Sequence, residues 1–142
     1  MIYMISGHGD LTENEFNTHY KDQMMRIIKN KDNDNDNKFI VGDYKGCDVM
    51  SVKFLLNNNV NPSNIIIYHM FKKPRKYLYE ICKLHQILLK GGFDSDEARD
   101  TQMTHDSDCD ILWIRKDINM PNYDPNYISG TEKNYLRRSN KS

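Results

Sequence analysis

Apolar and polar positions recur along this chain with two different periods, and their order predicts alternating strands and helices. Ile2 to Ser6 is short, apolar and β-prone, and it runs into Gly7-His8-Gly9-Asp10, which cannot extend a strand comfortably. Thr12-Glu13-Asn14-Glu15 then offers a capping residue followed by acids. Phe16, Tyr20, Met24, Ile27 and Ile28 recur at helical spacing as far as Lys29, predicting one amphipathic helix. Lys31 to Asn37 holds nothing apolar to bury and reads as a solvated loop. A second strand is expected over Lys38 to Val41, and a helix through Val49, Val52, Leu55 and Leu56 closed by the Asn57 to Asn61 turn and Pro62.

Ile65-Ile66-Ile67-Tyr68 is a continuous apolar run, the pattern of a strand covered on both faces. Tyr77, Leu78, Ile81, Leu84, Ile87 and Leu88 form another helical stripe, ended by Gly91-Gly92. Ser95-Asp96-Glu97 caps a helix expected to reach His105, with its acids opposing the helix dipole favourably. Ile111 to Ile114 reads as a further strand, Pro121 to Asn126 as a turn-rich loop, and Ser129-Gly130-Thr131 as the start of a last helix carrying Tyr135 and Leu136. Strands separated by helices imply parallel βαβ units. The expectation is an α/β, Rossmann-like three-layer domain with a mostly parallel four- or five-stranded sheet. It spans residues 1–138, with 139–142 as a C-terminal tail.

Length supports one core, since 142 residues split in two would leave each half barely able to offset its chain entropy. Lys plus Arg and Asp plus Glu balance at 20 each, so no global basic field drives sequence-independent nucleic-acid binding. No cationic leader or long apolar run directs the chain to a membrane, and a cytoplasmic location is expected. The heavy use of Asn, Asp, Lys, Ile and Tyr suits an A- and T-rich genome, viral among the options, in which case the location is the host cytoplasm. Cys47, Cys82 and Cys109 are odd in number and widely spaced, which favours reduced, structural thiols.

Metal chemistry is not expected. The five histidines form no pair at ligand spacing. Asp32, Asp34 and Asp36 imitate a calcium loop, but Asn37 and Asp43 stand where that loop needs Gly and a bidentate Glu. The simplest role of the polar run His105 to Asp110 is to end a helix.

In an open parallel sheet, ligands collect beyond the carboxyl ends of the strands. Ser6-Gly7, the Gly42-Asp43 to Gly46-Cys47-Asp48 turn and Ser129-Gly130-Thr131 all fall there, and glycine lets backbone approach a phosphate closely. Arg75, in the basic cluster Lys72 to Lys76, falls at the end of the third strand. Arg99 admits two readings: an intrahelical ion pair with Asp96, Glu97 or Asp100, or a fixed guanidinium for a phosphate or carboxylate.

The order of these motifs resembles the SLOG superfamily, which includes the LOG phosphoribohydrolases and the DNA-processing SMF-type proteins. Met4-Ile5-Ser6-Gly7 is similar to that family's first strand and turn. Phe39 to Asp48 resembles its Gly-Asp and Gly-x-Asp second-strand motif, and Arg99, Met103 and Asp108 match the spacing of its Arg, Met and Asp. Ser129-Gly130-Thr131-x-x-Asn134 stands where LOG enzymes have Gly-Thr-x-x-Glu. The resemblance implies a nucleotide-type ligand lying across Ser6 and Gly7, the turn of Gly42, Asp43, Gly46 and Asp48, and the helix start of Ser129, Gly130 and Thr131 with Asn134, with Arg99 as the catalytic candidate, and a homodimer. Arg75, by its place at the end of the third strand, is expected to add a phosphate contact, and no cofactor is expected.

Asn134 replaces the family's glutamate, and an amide cannot act as a general base. Glu132 lies about 200° away around a helix and is no obvious substitute. The expectation is therefore binding of a nucleotide or nucleotide-derived small molecule, as a sensor or a divergent N-glycosidic-bond enzyme. The alternatives are a nucleic-acid module of the DNA-processing type and a non-catalytic interaction subunit.

Overall fold

The computed structural model describes residues 1–30, 37–116, 119, 121 and 123–140. Five strands, β1 (Ile2–Ser6), β2 (Lys38–Val41), β3 (Ile65–Met70), β4 (Leu88–Phe93) and β5 (Cys109–Leu112), form one sheet in the order β4-β3-β2-β1-β5. Every pairing is parallel. Six helices flank it: α1 (Glu13–His19), α2 (Lys21–Lys29), α3 (Cys47–Asn57), α4 (Lys76–His85), α5 (Asp96–Asp106) and α6 (Gly130–Asn140). The Rossmann-like α/β class expected from the periodicity is the class observed. The segment Lys31 to Asp36, including the calcium-like aspartates, lies outside the described residues.

Strand faces sort the core into two layers, because successive side chains point to opposite sides of a sheet. Ile5, Phe39, Val41, Ile65 and Ile67 face one side, where Phe16, Tyr20, Met24, Val52, Leu55 and Leu78 pack on them. The other side is thin: Met4, Ile40 and Tyr68 meet Met103 of α5, with Ile2, Ile66 and Phe93 around them. Full burial of such side chains stabilises by about 1.5–3 kcal/mol each, so the first layer dominates the fold. The thin layer leaves space beside β1 for polar side chains from α5 and α6.

Two elements differ from the periodic reading. The helical stripe ends at His85, not at Gly91-Gly92. Gln86 takes a left-handed conformation (φ 53°, ψ 45°), Ile87 turns inward, and Leu88 begins β4. As an edge strand, β4 leaves Leu88 and Leu89 about half exposed, which removes the burial signal, and a glycine pair ordinarily reads as a helix stop. The expected first helix is two, broken at Tyr20, whose fully buried ring and hydroxyl hold it in place: the hydroxyl donates to the Ser6 carbonyl (2.7 Å) and accepts from the Trp113 amide (3.1 Å).

The last strand runs over Cys109–Leu112, two residues earlier than Ile111 to Ile114. The final helix buries Thr131 and Asn134 and leaves Tyr135 and Leu136 exposed. Cys47 and Cys82 are buried free thiols. No helix among the described residues is long and apolar enough to cross a membrane.

Sheet order fixes where a ligand can sit. From β1 the chain steps outward through β2, β3 and β4, then returns so that β5 pairs the other side of β1. The connections after β1 and β5 therefore diverge, and a crevice opens at the end of β1. Ile5 pairs with Val41 and Ser6 with Leu112, so Ser6 and Gly42 come to the same edge.

Candidate functional site

A cavity of about 550 Å³ occupies that crevice. The β1 turn contributes Ser6, Gly7, His8, Gly9 and Asp10. Gly42, Tyr44, Lys45 and Asp48 come from the end of β2 and the start of α3, and Asp96, Arg99, Asp100 and Met103 from one face of α5. Tyr127, Ser129, Gly130, Thr131 and Asn134 close the remaining wall.

Of the sequence-predicted residues, the fold brings Ser6, Gly7, Gly42, Asp48, Arg99, Ser129, Gly130, Thr131 and Asn134 to this cavity. Asp43, Gly46 and Arg75 do not line it. Asp43 is fully buried behind it and joins the two arginines: its Oδ1 accepts from Arg99 Nη1 (2.8 Å) and Arg75 Nη2 (2.9 Å), and its Oδ2 from the Arg75 amide (3.0 Å). Burial pushes the Asp43 carboxyl up, but the Arg75 hydrogen bonds and the charges of Arg75 and Arg99 outweigh it and hold it below the usual range. Gly46 works through the backbone. Its φ of 74° is a left-handed conformation, and a Cβ would lie 2.4 Å from the Gly9 carbonyl oxygen, so only glycine lets this turn pack on the β1 turn.

Arg99 fulfils part of each sequence reading. It pairs within its own helix, with Asp96 (3.1 Å) and Asp100 (2.9 Å) but not Glu97, and it also crosses to Asp43. Burial disfavours its charge, but the charges of Asp100 and Asp48 and the hydrogen bonds to Asp100 raise its pKa overall. Its guanidinium is thus largely satisfied by protein carboxylates before any ligand arrives.

Asn134 is also buried. Its Nδ2 donates to Ser6 Oγ (2.8 Å) and Asp100 Oδ2 (3.2 Å), and its Oδ1 accepts from Arg137 Nη1, which fixes the amide's orientation. Ser129 caps α6, its Oγ accepting from the Glu132 amide (3.2 Å). The first N–H groups of any helix have no partner within it, so those of Gly130 and Thr131 add positive potential at the cavity wall. A Cβ on Gly130 would meet nothing within 4 Å, which makes that end of the crevice open.

Carboxyl groups outnumber cations around the cavity: Asp10, Asp48, Asp96 and Asp100 against Lys45 and Arg99. Burial drives Asp48 up to about 7, against the lowering effect of the Arg99 charge and the Tyr44 N–H, with Asp100 and Asp43 pushing the same way as burial. His8 is held below its ordinary pKa by burial and by Arg115, whose amide donates to His8 Nε2 (3.1 Å), so the ring is a neutral acceptor.

Sequence reasoning missed Asp100 and Asp96 as parts of a site, treating them only as partners of Arg99. Their four-residue spacing puts them on one helical face, which was the available signal. His8, Asp10, Tyr44, Lys45 and Tyr127 carried none beyond lying near glycine turns. Among the described residues no group of three or more His, Cys, Asp or Glu side chains is arranged to hold a metal ion.

No protein family, curated protein or solved structure matches this chain. What the fold and the site define is a class: a Rossmann-like α/β domain with a polar, acid-rich crevice at the carboxyl edge of its sheet.

Proposed function

We propose that the crevice binds a nucleotide or nucleotide-derived small molecule, in the manner the resemblance to the SLOG superfamily implies. The observation that carries this reading is the mixed lining of one cavity. The Ser129-capped start of α6 with the open Gly130, and Lys45, suit an anionic phosphate. Asp48, Asp100, Asn134 and Ser6 supply acceptors and a donor that suit sugar hydroxyls. A volume of about 550 Å³ falls within the roughly 300–1,000 Å³ of small-molecule sites. A bare polyanion is a poor fit, because the carboxylates of Asp10, Asp96 and Asp100 would repel it.

That acid-rich lining also weighs against a nucleic-acid module, which needs a continuous basic stripe. The cluster around Arg75 is partly spent on Asp43 and Asp96. A cytoplasmic location and a homodimer belong to the same reading; light scattering of the purified protein tests the dimer.

Native mass spectrometry for a co-purified nucleotide, followed by calorimetry with nucleoside mono- and diphosphates, tests the proposal. Gly130→Asp places a carboxylate in open space without touching the fold and is expected to weaken binding at least tenfold. Unchanged affinity in that variant, or no nucleotide bound by the wild type, overturns the reading.

A further inference from the structure

We propose that Tyr127 recognises the base of a bound nucleotide, its ring stacking on the base at the mouth of the crevice, so that purine nucleotides are the favoured ligands. The inference rests on the nucleotide-binding reading and goes beyond it by naming the residue that takes the base and the class of base it prefers.

A base needs a flat apolar surface, and this cavity offers few. Met4, Ile5 and Met103 line its floor, but they are 0%, 1% and 2% exposed and present almost no area to a ligand. Three rings border the cavity: His8, Tyr44 and Tyr127. Two of them are already in use. His8 meets Trp113 edge to face (6.0 Å between centroids, 81°), and its Nε2 accepts from the Arg115 amide. Tyr44 has the Arg75 guanidinium over its ring (4.8 Å) and Tyr77 set against it edge to face (5.7 Å, 88°). Gly9 also lies against Tyr44, since a Cβ at residue 9 would come within 2.4 Å of Tyr44 Cε2.

Tyr127 is the ring left over. It is 66% exposed, and among the described residues no hydrogen bond, charge or ring contact engages its side chain. A single exposed tyrosine is ordinary on a protein surface. One that borders a polar cavity whose other rings are occupied supplies the surface the base lacks.

The backbone presents this ring on a defined turn. The Asn126 amide donates to Asp124 Oδ1 (2.9 Å) and the Tyr127 amide to the Asp124 carbonyl (3.1 Å). Two residues further on, Ser129 caps α6 with its Oγ, and its carbonyl accepts from the Lys133 amide (2.9 Å). Tyr127 is thus anchored on both sides in the chain. With only two side-chain torsions to fix, tyrosine supplies contact area at low entropic cost. Stacking reads no hydrogen-bond code, because every base has a π-face, and the two fused rings of a purine cover more of the tyrosine than one pyrimidine ring.

The test is calorimetry of wild type, Tyr127→Ala and Tyr127→Phe with adenosine, guanosine, cytidine and uridine 5′-monophosphates. Both variants are expected to melt as wild type does, since the side chain has no partner to lose. Tyr127→Ala is expected to weaken purine nucleotide binding by about 10- to 100-fold, the usual share of one base stacked on one aromatic ring, and pyrimidine nucleotide binding by less. Tyr127→Phe is expected to bind like wild type, because the ring and not the hydroxyl makes the contact. Undiminished affinity in Tyr127→Ala overturns this inference and leaves the binding reading standing. So does an equal loss in Tyr127→Phe, which would make the hydroxyl the contact, or a loss of one size for purines and pyrimidines, which would place the ring against the sugar. Absence of nucleotide binding by the wild type overturns both.

Discussion

The side-chain amide of Asn134 lies 3.2 Å from Asp100 Oδ2 and 2.8 Å from Ser6 Oγ, so a helix at the end of the chain, the long helix before it and the first strand meet at one buried amide. Arg137 takes the amide oxygen, and the nitrogen can then only face Asp100 and Ser6. The crevice is thereby closed on the α6 side by a donor, where a carboxylate at 134 would repel Asp100.

Arg99 holds the acid cluster together. Removing it leaves Asp43 fully buried with Arg75 as its remaining cation and frees Asp96 and Asp100 to repel each other. Loss of one partner from a buried ion-pair network costs about 3–5 kcal/mol. Arg99→Ala is expected to lose stability of that order in urea unfolding, and Arg99→Lys to recover little of it, because one ammonium cannot span Asp43 and Asp100 in the way the guanidinium fork does. Equal stability of Arg99→Lys and wild type would show that the fork geometry is immaterial.

Asp48 predicts a pH dependence of opposite sign to most carboxyls. Its folded pKa, raised to about 7, lies above the unfolded value near 3.8, so the folded state binds the proton more tightly. Its contribution to stability is full below about pH 4, declines as pH rises, and is lost above about 7. Asp48→Asn keeps the shape without the charge, and is expected to be more stable than wild type at pH 8, with the difference shrinking toward pH 4. Thermal melts across that range check it; a difference constant with pH would refute the raised pKa.

Arg115 ties the segment after β5 to the β1 side of the crevice. It donates to Glu15 Oε1 (2.8 Å) and Oε2 (2.9 Å) and pairs with Asp10 (2.9 Å). Those hydrogen bonds hold the Glu15 carboxyl down at about 2, against a smaller opposing effect of burial. The stability it supplies is present above the unfolded pKa near 4.5 and is lost as pH falls through about 2. Glu15→Gln is expected to be less stable than wild type at pH 7 and indistinguishable from it near pH 2. Acid titration of both proteins by circular dichroism measures this, and parallel curves would contradict it.

The sequence by itself determined the class of fold, because helical and strand periodicities report directly which faces are buried. Ile65-Ile66-Ile67-Tyr68 reads as a strand covered on both sides and is one, and Ser95-Asp96-Glu97 reads as a helix start and is one. It also marked the sheet edge at which the cavity opens, since glycine turns after strands follow from local backbone needs. Tertiary structure alone decided β4, whose exposed leucines at a sheet edge carry no burial pattern, and the break at Tyr20, which depends on hydrogen bonds to Ser6 and Trp113 far away in the chain. It alone also decided the division of labour among charges. Asp43 and Arg75 are spent on each other, Arg99 is shared among three carboxylates, and Asp48 is left almost unpartnered. Electrostatic pairing depends on distances between residues 30 to 60 positions apart in sequence, and only the folded sheet sets those distances.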